Sequence, residues 1–440
     1  MPARGISFSL REVAVCRAPL YVPRVTESVP PTSRRRTGEE VADYVVELAS
    51  ALDRYGCPSY RVEHAARVVA EIEGFHAEPF VLPTGIFLRL VGEAPHIELH
   101  RMVRVAEWTT DLGALVEVDE IFNDVADRKL TLEAARARLR TLPTRPHTYS
   151  KPMLFAASVL LAAAAAVFLG GRAIDVPVAA AAGGGVGLVE IWLLRSEARR
   201  LLADFVAALL AASAAWLATR LFSHVTPEVI VLAATIGRFP GMTFTNGLAE
   251  LAQKNLVSGG ARLAEAMVTL LQLVLGVALV FGVQQLVHAD PTPPEPVPRA
   301  LPLLVQGAAL VVSSLSFGVI FHVPRRFLWT ALASGATAYV TTALAVRHLP
   351  GHLAAFLAAF AVCLLANALA RKTARPAQLF QIPGMMLLVP GSFGFLSLGY
   401  FLRGDFVAGA SRGFSMLLTG GGLVLGVLLA NALLPARKVL

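Results

Sequence analysis

Apolar residues follow two different rhythms along this chain. Between Gly38 and Thr141 they recur at three- and four-residue spacing within short stretches; from Met153 onward they run almost unbroken. In the first part, Val41, Tyr44, Val45, Leu48 and Leu52 share one face of a helix that ends at Tyr55-Gly56. Tyr60, Val62, Ala65, Ala66, Val68 and Val69 predict a second helix running to Gly74. Phe80-Val81-Leu82, Ile86–Leu90 and Ile97-Glu98-Leu99 read as short strands. Helices over 110–127 and 131–141 close the segment at Leu142-Pro143-Thr144. The pattern therefore predicts a small α+β domain over 38–150. Residues 1–37, rich in Pro, Ser, Arg and Thr, are expected to form a disordered basic N-terminus.

Beyond that domain, spans are expected over 153–170, 174–194, 203–221, 228–253, 263–283, 301–321, 327–346, 352–370, 378–398 and 413–434. Each approaches or exceeds the ~20 residues that cross a ~30 Å hydrocarbon core. The expected fold is a polytopic α-helical membrane protein with ten transmembrane helices behind a soluble front domain.

Composition divides at the same place. The 440 residues are 55% hydrophobic and 16% charged, with mean hydropathy +0.61. Residues 1–150 carry 19 of the 39 basic and 21 of the 31 acidic side chains, an ordinary soluble balance. The net charge of +8 therefore arises among the apolar runs, where cytoplasmic loops need Lys and Arg, and no aromatic-basic groove pattern suggests nucleic acid. Threading ten spans from a cytosolic start places thirteen basic residues inside, Arg437 and Lys438 among them, against six outside. Both termini are then cytoplasmic. Arg4, Arg11, Arg17 and Arg24, with no long apolar run between them, give no signal-peptide pattern. Cys16, Cys57 and Cys363 lie far apart without CxxC spacing, so neither a metal site nor a disulfide framework is expected.

The membrane half repeats itself at an offset of 150 residues. VSGGARLAEAMVTLLQLVLGVAL (257–279) lies over VAGASRGFSMLLTGGGLVLGVLL (407–429) with ten identities in 23 positions, Arg262/Arg412 among them. The same offset lays Pro240-Gly241 on Pro390-Gly391. Five spans fall in each copy, 151–283 and 301–440, joined by a Pro-rich outer linker over 284–300. An odd number of crossings inverts the second copy, and inverted repeats with interrupted helices are typical of secondary transporters. A duplicated scaffold or membrane enzyme is the weaker alternative.

The interruptions are where chemistry is expected. Proline opens the helix ladder, and in lipid such a break survives only where it is buried or lines a polar cavity. The fourth span places Pro240-Gly241 among Arg238, Thr243, Thr245 and Asn246. The ninth carries two breaks, Pro383-Gly384 and Pro390-Gly391, beside Gln381 and Ser392. A half-helix beginning after Gly241 would aim free N–H groups at a carboxylate, with Arg238 as a bidentate donor. The competing reading is a structural kink with Arg238 already paired. Glu190, Asp204, Glu250 and Glu265 are expected in interfacial ion pairs with Arg195, Arg199, Arg200, Lys254 or Arg262. Of these, Glu250 is the candidate proton carrier because it shares the broken helix with Asn246. No phosphate-binding loop or HExxH is present, and GASRG (409–413) fits a hydrolase nucleophile pattern without its strand-turn-helix context.

Several strings together resemble the threonine/serine exporter family over 38–435. They are YGCPSYRVEHAARVVAEIEG, VLPTGIFLRL, HRMVRVAE and DLGALVEVDEIFNDVADRKLTLEAARARL in front, then FPGMTFTNGLAELAQKNLVSGGARL and IPGMMLLVPGSFGF behind. The resemblance implies export of threonine and serine across the bacterial inner membrane by antiport with protons, without a cofactor. It carries no residue roles; the long basic front and HADPTPPEPVPR (288–299) depart from the pattern. Two other classes compete. One is a membrane-anchored enzyme using front-domain groups such as His64, His76, His96 and Arg101. The other is a passive channel. On the expectation adopted here, the membrane half carries the substrate and the front domain does not. The sequence leaves a two-fold homo-oligomer undecided.

Overall fold

The computed structural model describes residues 37–92, 97–105, 109–193, 200–287 and 302–436. The basic front segment with Cys16, most of the Pro-rich linker, His96, Arg195, Arg199, Arg437 and Lys438 lie outside these residues.

The front domain opens with α1 (Gly38–Arg54) and α2 (Ser59–Ile72). Thr37 starts α1 through a capping box: its hydroxyl accepts from Glu40 N, and Glu40 Oε2 accepts from Thr37 N at 3.0 Å. The inward stripe Val41, Tyr44, Val45, Leu48, Leu52 is buried, as its spacing requires. Strands β1 (Phe75–Leu82), β2 (Gly85–Gly92) and β3 (Ile97–Arg104) form an antiparallel meander with β2 central. Pro79 is tolerated because β1 is an edge strand. Helices α3 (Leu112–Ala126) and α4 (Leu132–Thr141) follow, capped by Asp111 and Thr131.

The membrane half is helical throughout. Its first part holds α5 (Lys151–Phe168), α6 (Asp175–Leu193), α7 (Ala203–Leu221), α8 (Pro227–Ala234), α9 (Gly241–Ala252) and α10 (Leu256–Val287). The second holds α11 (Leu303–Ile320), α12 (Leu328–Ala345), α13 (Gly351–Thr373), α14 (Ala377–Met385), α15 (Gly391–Leu402) and α16 (Phe406–Leu433). Among the described residues, seven helices are long and apolar enough to cross a membrane: α5, α6, α7, α10, α11, α13 and α16. The seventh expected span, α12, is 18 residues long but rich in hydroxyls. Thr330, Ser334, Thr337 and Thr342 return those hydroxyls to carbonyls three or four residues earlier, which satisfies them without making the helix apolar. The fourth and ninth expected spans are each two short helices.

The break in the fourth position is short. After α8, a single 3₁₀ turn (Ile236–Arg238) leads through Phe239 and Pro240 to α9. In the ninth position only one of the two expected breaks opens. Pro383 sits inside α14, whose helix continues to Met385, and the chain leaves the helix only before Pro390-Gly391. GASRG lies within α16, so the residues of that pattern are helical and form no nucleophile elbow.

Close helix contacts recur at the repeat offset. A Cβ on Gly276 of α10 would lie 2.5 Å from the Phe205 carbonyl of α7. A Cβ on Gly426 of α16 would lie 2.5 Å from the Phe356 carbonyl of α13. At the breaks the correspondence becomes reciprocal. A Cβ on Gly241 would overlap Val389 Cγ1, and one on Gly391 would lie 2.7 Å from Phe239 Cβ. Positions 239 and 241 thus face 389 and 391 crosswise.

The front domain has no separate core. The cluster built on α1–α4 continues into Val323, Ala366, Ala370, Ala377, Leu379, Phe380 and Ile382 of the membrane half. Backbone bonding crosses the seam as well: Leu112 N donates to Phe321 O at 3.0 Å, and Tyr149 Oη to Val323 O at 2.7 Å.

Candidate functional site

An open pocket of about 600 Å³, mouth included, lies where the broken helices meet the front domain. Helix α9 contributes Met242, Thr245, Asn246 and Ala249; α14 contributes Gln378, Gln381, Ile382 and Met385; α16 contributes Val424 and Val427. The remaining wall is Gly56 and Pro58 from the turn between α1 and α2, with Tyr60 and Arg61 from the first turn of α2. The lining has the mix of apolar surface with a few convergent polar groups that small-molecule sites use.

Two of those polar groups have buried atoms without a hydrogen-bond partner among the described residues, Thr245 Oγ1 and Gln378 Oε1. A buried acceptor or donor left unpaired costs about 1–3 kcal/mol, so such atoms mark where a polar ligand would be held. Arg61 is the guanidinium in the wall. Cys57, beside it, accepts weakly from Gln378 Nε2 at 3.9 Å, and burial pushes its thiol up to about 12, which leaves it a neutral packing residue.

Of the residues singled out from sequence, the pocket brings together Thr245, Asn246 and Gln381. Thr243 is buried in α9 outside the lining. Pro240, Gly241, Pro390 and Gly391 form the crosswise contact between the two breaks, and Ser392 follows in α15. Pro383 is interior to α14, and Gly384 presses on Ser334, where a Cβ would meet the backbone at 2.8 Å. Of the first turn of α9, the pocket lining takes Met242.

Arg238 corrects a second expectation. Its guanidinium is engaged by Asp204 at 2.6 Å and Glu190 at 2.8 Å. In this conformation it is a structural cation tying α6, α7 and the break together, as the kink reading has it. Glu190 and Asp204 are ion-paired as expected, but to a partner outside the expected set.

Glu250 does pair with Arg262, at 3.1 Å, and both are buried. Their surroundings were not legible beforehand. Glu250 also accepts from Ser59 N at 3.1 Å and Ser258 Oγ at 2.6 Å, and Asp53 Oδ1 lies 3.6 Å from Arg262 Nη2. Burial raises the Asp53 carboxyl to about 7; Arg262 opposes the shift and Glu250 adds to it. A different polar joint gathers Asp111, His147 and His322, with one ligand atom from each within 4.8 Å of the others. Arg145 already sits on Asp111 at 3.1 Å, and the same carboxylate caps α3, so that cluster reads as a hinge fitting.

Sequence reasoning missed Tyr60, Arg61, Gln378, Asp53, Ser59 and Ser258. All but Gln378 and Ser258 fall in or beside the YGCPSYR string, which signalled likeness but no position in space.

Many apolar helices, two of them interrupted around a polar pocket, define a multi-pass membrane protein. The comparisons with known proteins give the particular kind. Residues 43–284 match the family model described as "Putative threonine/serine exporter", and residues 306–433 match a second, described as "Threonine/Serine exporter, ThrE". The chain belongs to the threonine/serine exporter family, a family of transporters and not an enzyme class. A "Probable threonine/serine exporter" of Mycobacterium tuberculosis is 24% identical over 416 residues, covering 90% of this chain and 77% of that protein. Two uncharacterized Schizosaccharomyces pombe proteins are 29% and 26% identical over 54% and 55% of this chain. The aligned part spans only 32% and 30% of their own lengths. No solved structure matches.

Proposed function

We propose that the protein exports threonine and serine across the bacterial inner membrane by antiport with protons, and that the pocket between α2, α9 and α14 is its substrate site. The observation that carries this reading is the pairing of one wall guanidinium, Arg61, with two buried, unpartnered polar atoms, Thr245 Oγ1 and Gln378 Oε1. A small hydroxylated amino acid presents the complement: a carboxylate for Arg61, and a hydroxyl and ammonium for the amide and hydroxyl groups around Asn246 and Gln381. An analogue lacking the hydroxyl would leave Thr245 or Gln378 unsatisfied, which is how such a site rejects it.

The crosswise contact of Gly241 with Val389 and Gly391 with Phe239 supports a two-fold relation between the halves, the relation that inverted five-helix repeats would give. Cytoplasmic termini place the front domain, and with it the mouth of the pocket, on the side from which an exporter loads. The other predicted residues at the breaks, Pro240, Gly241, Pro390, Gly391 and Ser392, then belong to the path beyond the pocket floor.

Efflux of radiolabelled threonine and serine from proteoliposomes with an imposed pH gradient tests the reading. Arg61→Ala and Asn246→Ala should raise KM by about 10–100-fold, the worth of a hydrogen bond to a charged group. Wild-type vesicles that release label no faster than empty ones would sink the exporter reading. Release indifferent to a protonophore would favour a passive channel instead.

A further inference from the structure

Beside the pocket lies a sealed charged site that binding a neutral amino acid does not require. Asp53, in the last turn of α1, and Glu250, in the last turn of α9, are both fully buried, and Arg262 of α10 is nearly so. Three donors converge on Glu250: Ser59 N, Ser258 Oγ and Arg262 Nε. Among the described residues neither oxygen of Asp53 has a hydrogen-bond partner, and its contact with Arg262, at 3.6 Å, is longer than a hydrogen bond. Two carboxylates therefore share one guanidinium out of reach of water. With both ionised, the site carries an uncompensated negative charge, which such surroundings penalise heavily. A proton removes the excess. Glu250, with three donors, is the natural holder of the charge; Asp53, with none, is the natural holder of the proton.

We propose that Asp53 is the group that takes up and releases the coupled proton, with Glu250 and Arg262 as its fixed counter-charges. This rests on the proton-driven reading above. The remaining ionisable groups gathered on this side of α1 do not compete for the role. Cys57 is a neutral thiol, Arg61 and Arg262 are permanent cations, Glu63 of α2 is held by Val81 N and Arg67, and Asp119 of α3 bears on Cys57, whereas the charges that bear on Asp53 are Arg262 and Glu250.

Coupling follows from shared segments. Asp53 precedes Gly56, Pro58, Tyr60 and Arg61 of the pocket wall by a few residues, and Ser59, which grips Glu250, sits among them. On the other side Glu250 follows Ala249 of the same wall. When Asp53 loses its proton to cytosolic water, two carboxylates repel across the seam, the α1–α2 turn lifts from α9 and the mouth opens for loading. Substrate crosses with Asp53 ionised; after its release outside, Asp53 takes a proton from that side and the empty carrier returns protonated, so one proton enters for each amino acid that leaves.

The test uses the full chain in proteoliposomes with two readouts, pH-gradient-driven threonine transport and threonine–threonine counterflow without a gradient. Asp53→Asn should retain counterflow and lose the response to the gradient. A wild type that shows counterflow but ignores the gradient would count against the proton-driven reading itself. A wild type that responds, beside an Asp53→Asn variant that responds equally, would overturn the assignment to Asp53 alone. Should the Asn variant lose both readouts by failing to fold, Asp53→Glu decides: the carboxyl is kept, so gradient-driven transport should persist with a displaced pH midpoint. An unmoved midpoint would refute the proposal.

Discussion

Two arginines, Arg238 and Arg262, each face a pair of carboxylates, and the pairs differ in how much water reaches them. The side chains of Glu190 and Asp204 keep 38% and 20% of their exposure, while those of Glu250 and Asp53 keep none. Water can screen the first pair once its cation is gone; nothing can screen the second. Arg262→Ala should therefore cost about 3–5 kcal/mol and Arg238→Ala nearer 1–2 kcal/mol. Melting of the purified protein in detergent measures both, and equal shifts would show that burial does not govern the cost. The pH dependence of melting isolates Asp53. Burial holds its folded carboxyl up at about 7, against an ordinary value of 3.8, so between those values the folded state holds more protons than the unfolded one. Stability must then fall as pH rises across that window, by about 1.4 kcal/mol per unit at most, and level off above it. Asp53→Asn should flatten this part of the profile.

Among the elements, the two interrupted spans show what a sequence can and cannot specify. That Pro240-Gly241 and Pro390-Gly391 open the helix was legible, because proline removes a ladder donor wherever it falls inside a span. That Pro383-Gly384 does not open it was illegible: α14 runs from Ala377 to Met385, Pro383 lies in its last turn, and Gly384 packs directly on Ser334 of a neighbouring helix. The roles of Arg238 and Arg61 were hidden for a related reason. Spacing along one helix cannot say which carboxylates arrive from α6 and α7, or that a turn almost two hundred residues earlier closes the pocket. Thr245, Asn246 and Gln381 were found because their polarity is anomalous in an apolar run. Arg61 was not, because a cation in a soluble domain is ordinary. The crosswise glycine contact makes its own prediction. Gly241→Ala should cost about 1–3 kcal/mol by overpacking against Val389, and Val389→Ala in the same chain should recover most of it. Melting temperatures of the single and double variants check this; additive losses would show that the two positions do not meet.

For the whole molecule, the front domain is continuous with the membrane half. Its core runs into α13 and α14 without a polar layer between. Residues 38–150 expressed alone would expose the face that packs on Val323, Phe380 and Ile382, and a patch of that kind drives association. Sedimentation of that fragment should show aggregates or oligomers; a well-behaved monomer would mean that the seam is weaker than its packing implies.

That domain also touches both parts of the membrane half, by unlike means. Toward the first part its grip is ionic, Asp53 and Ser59 on Glu250 and Arg262, and it can be switched by a single proton. Toward the second part the grip is broader: Leu112 N and the Tyr149 hydroxyl hold the Phe321 and Val323 carbonyls, Glu120 pairs with Arg375, His147 stacks on His322, and apolar packing runs through the seam. A door hung this way has its latch on one jamb and its hinge on the other. Any rocking of the two halves that parts them on this face must release the latch first, so the order of events in a transport cycle is written into which side of the domain can lose its hold.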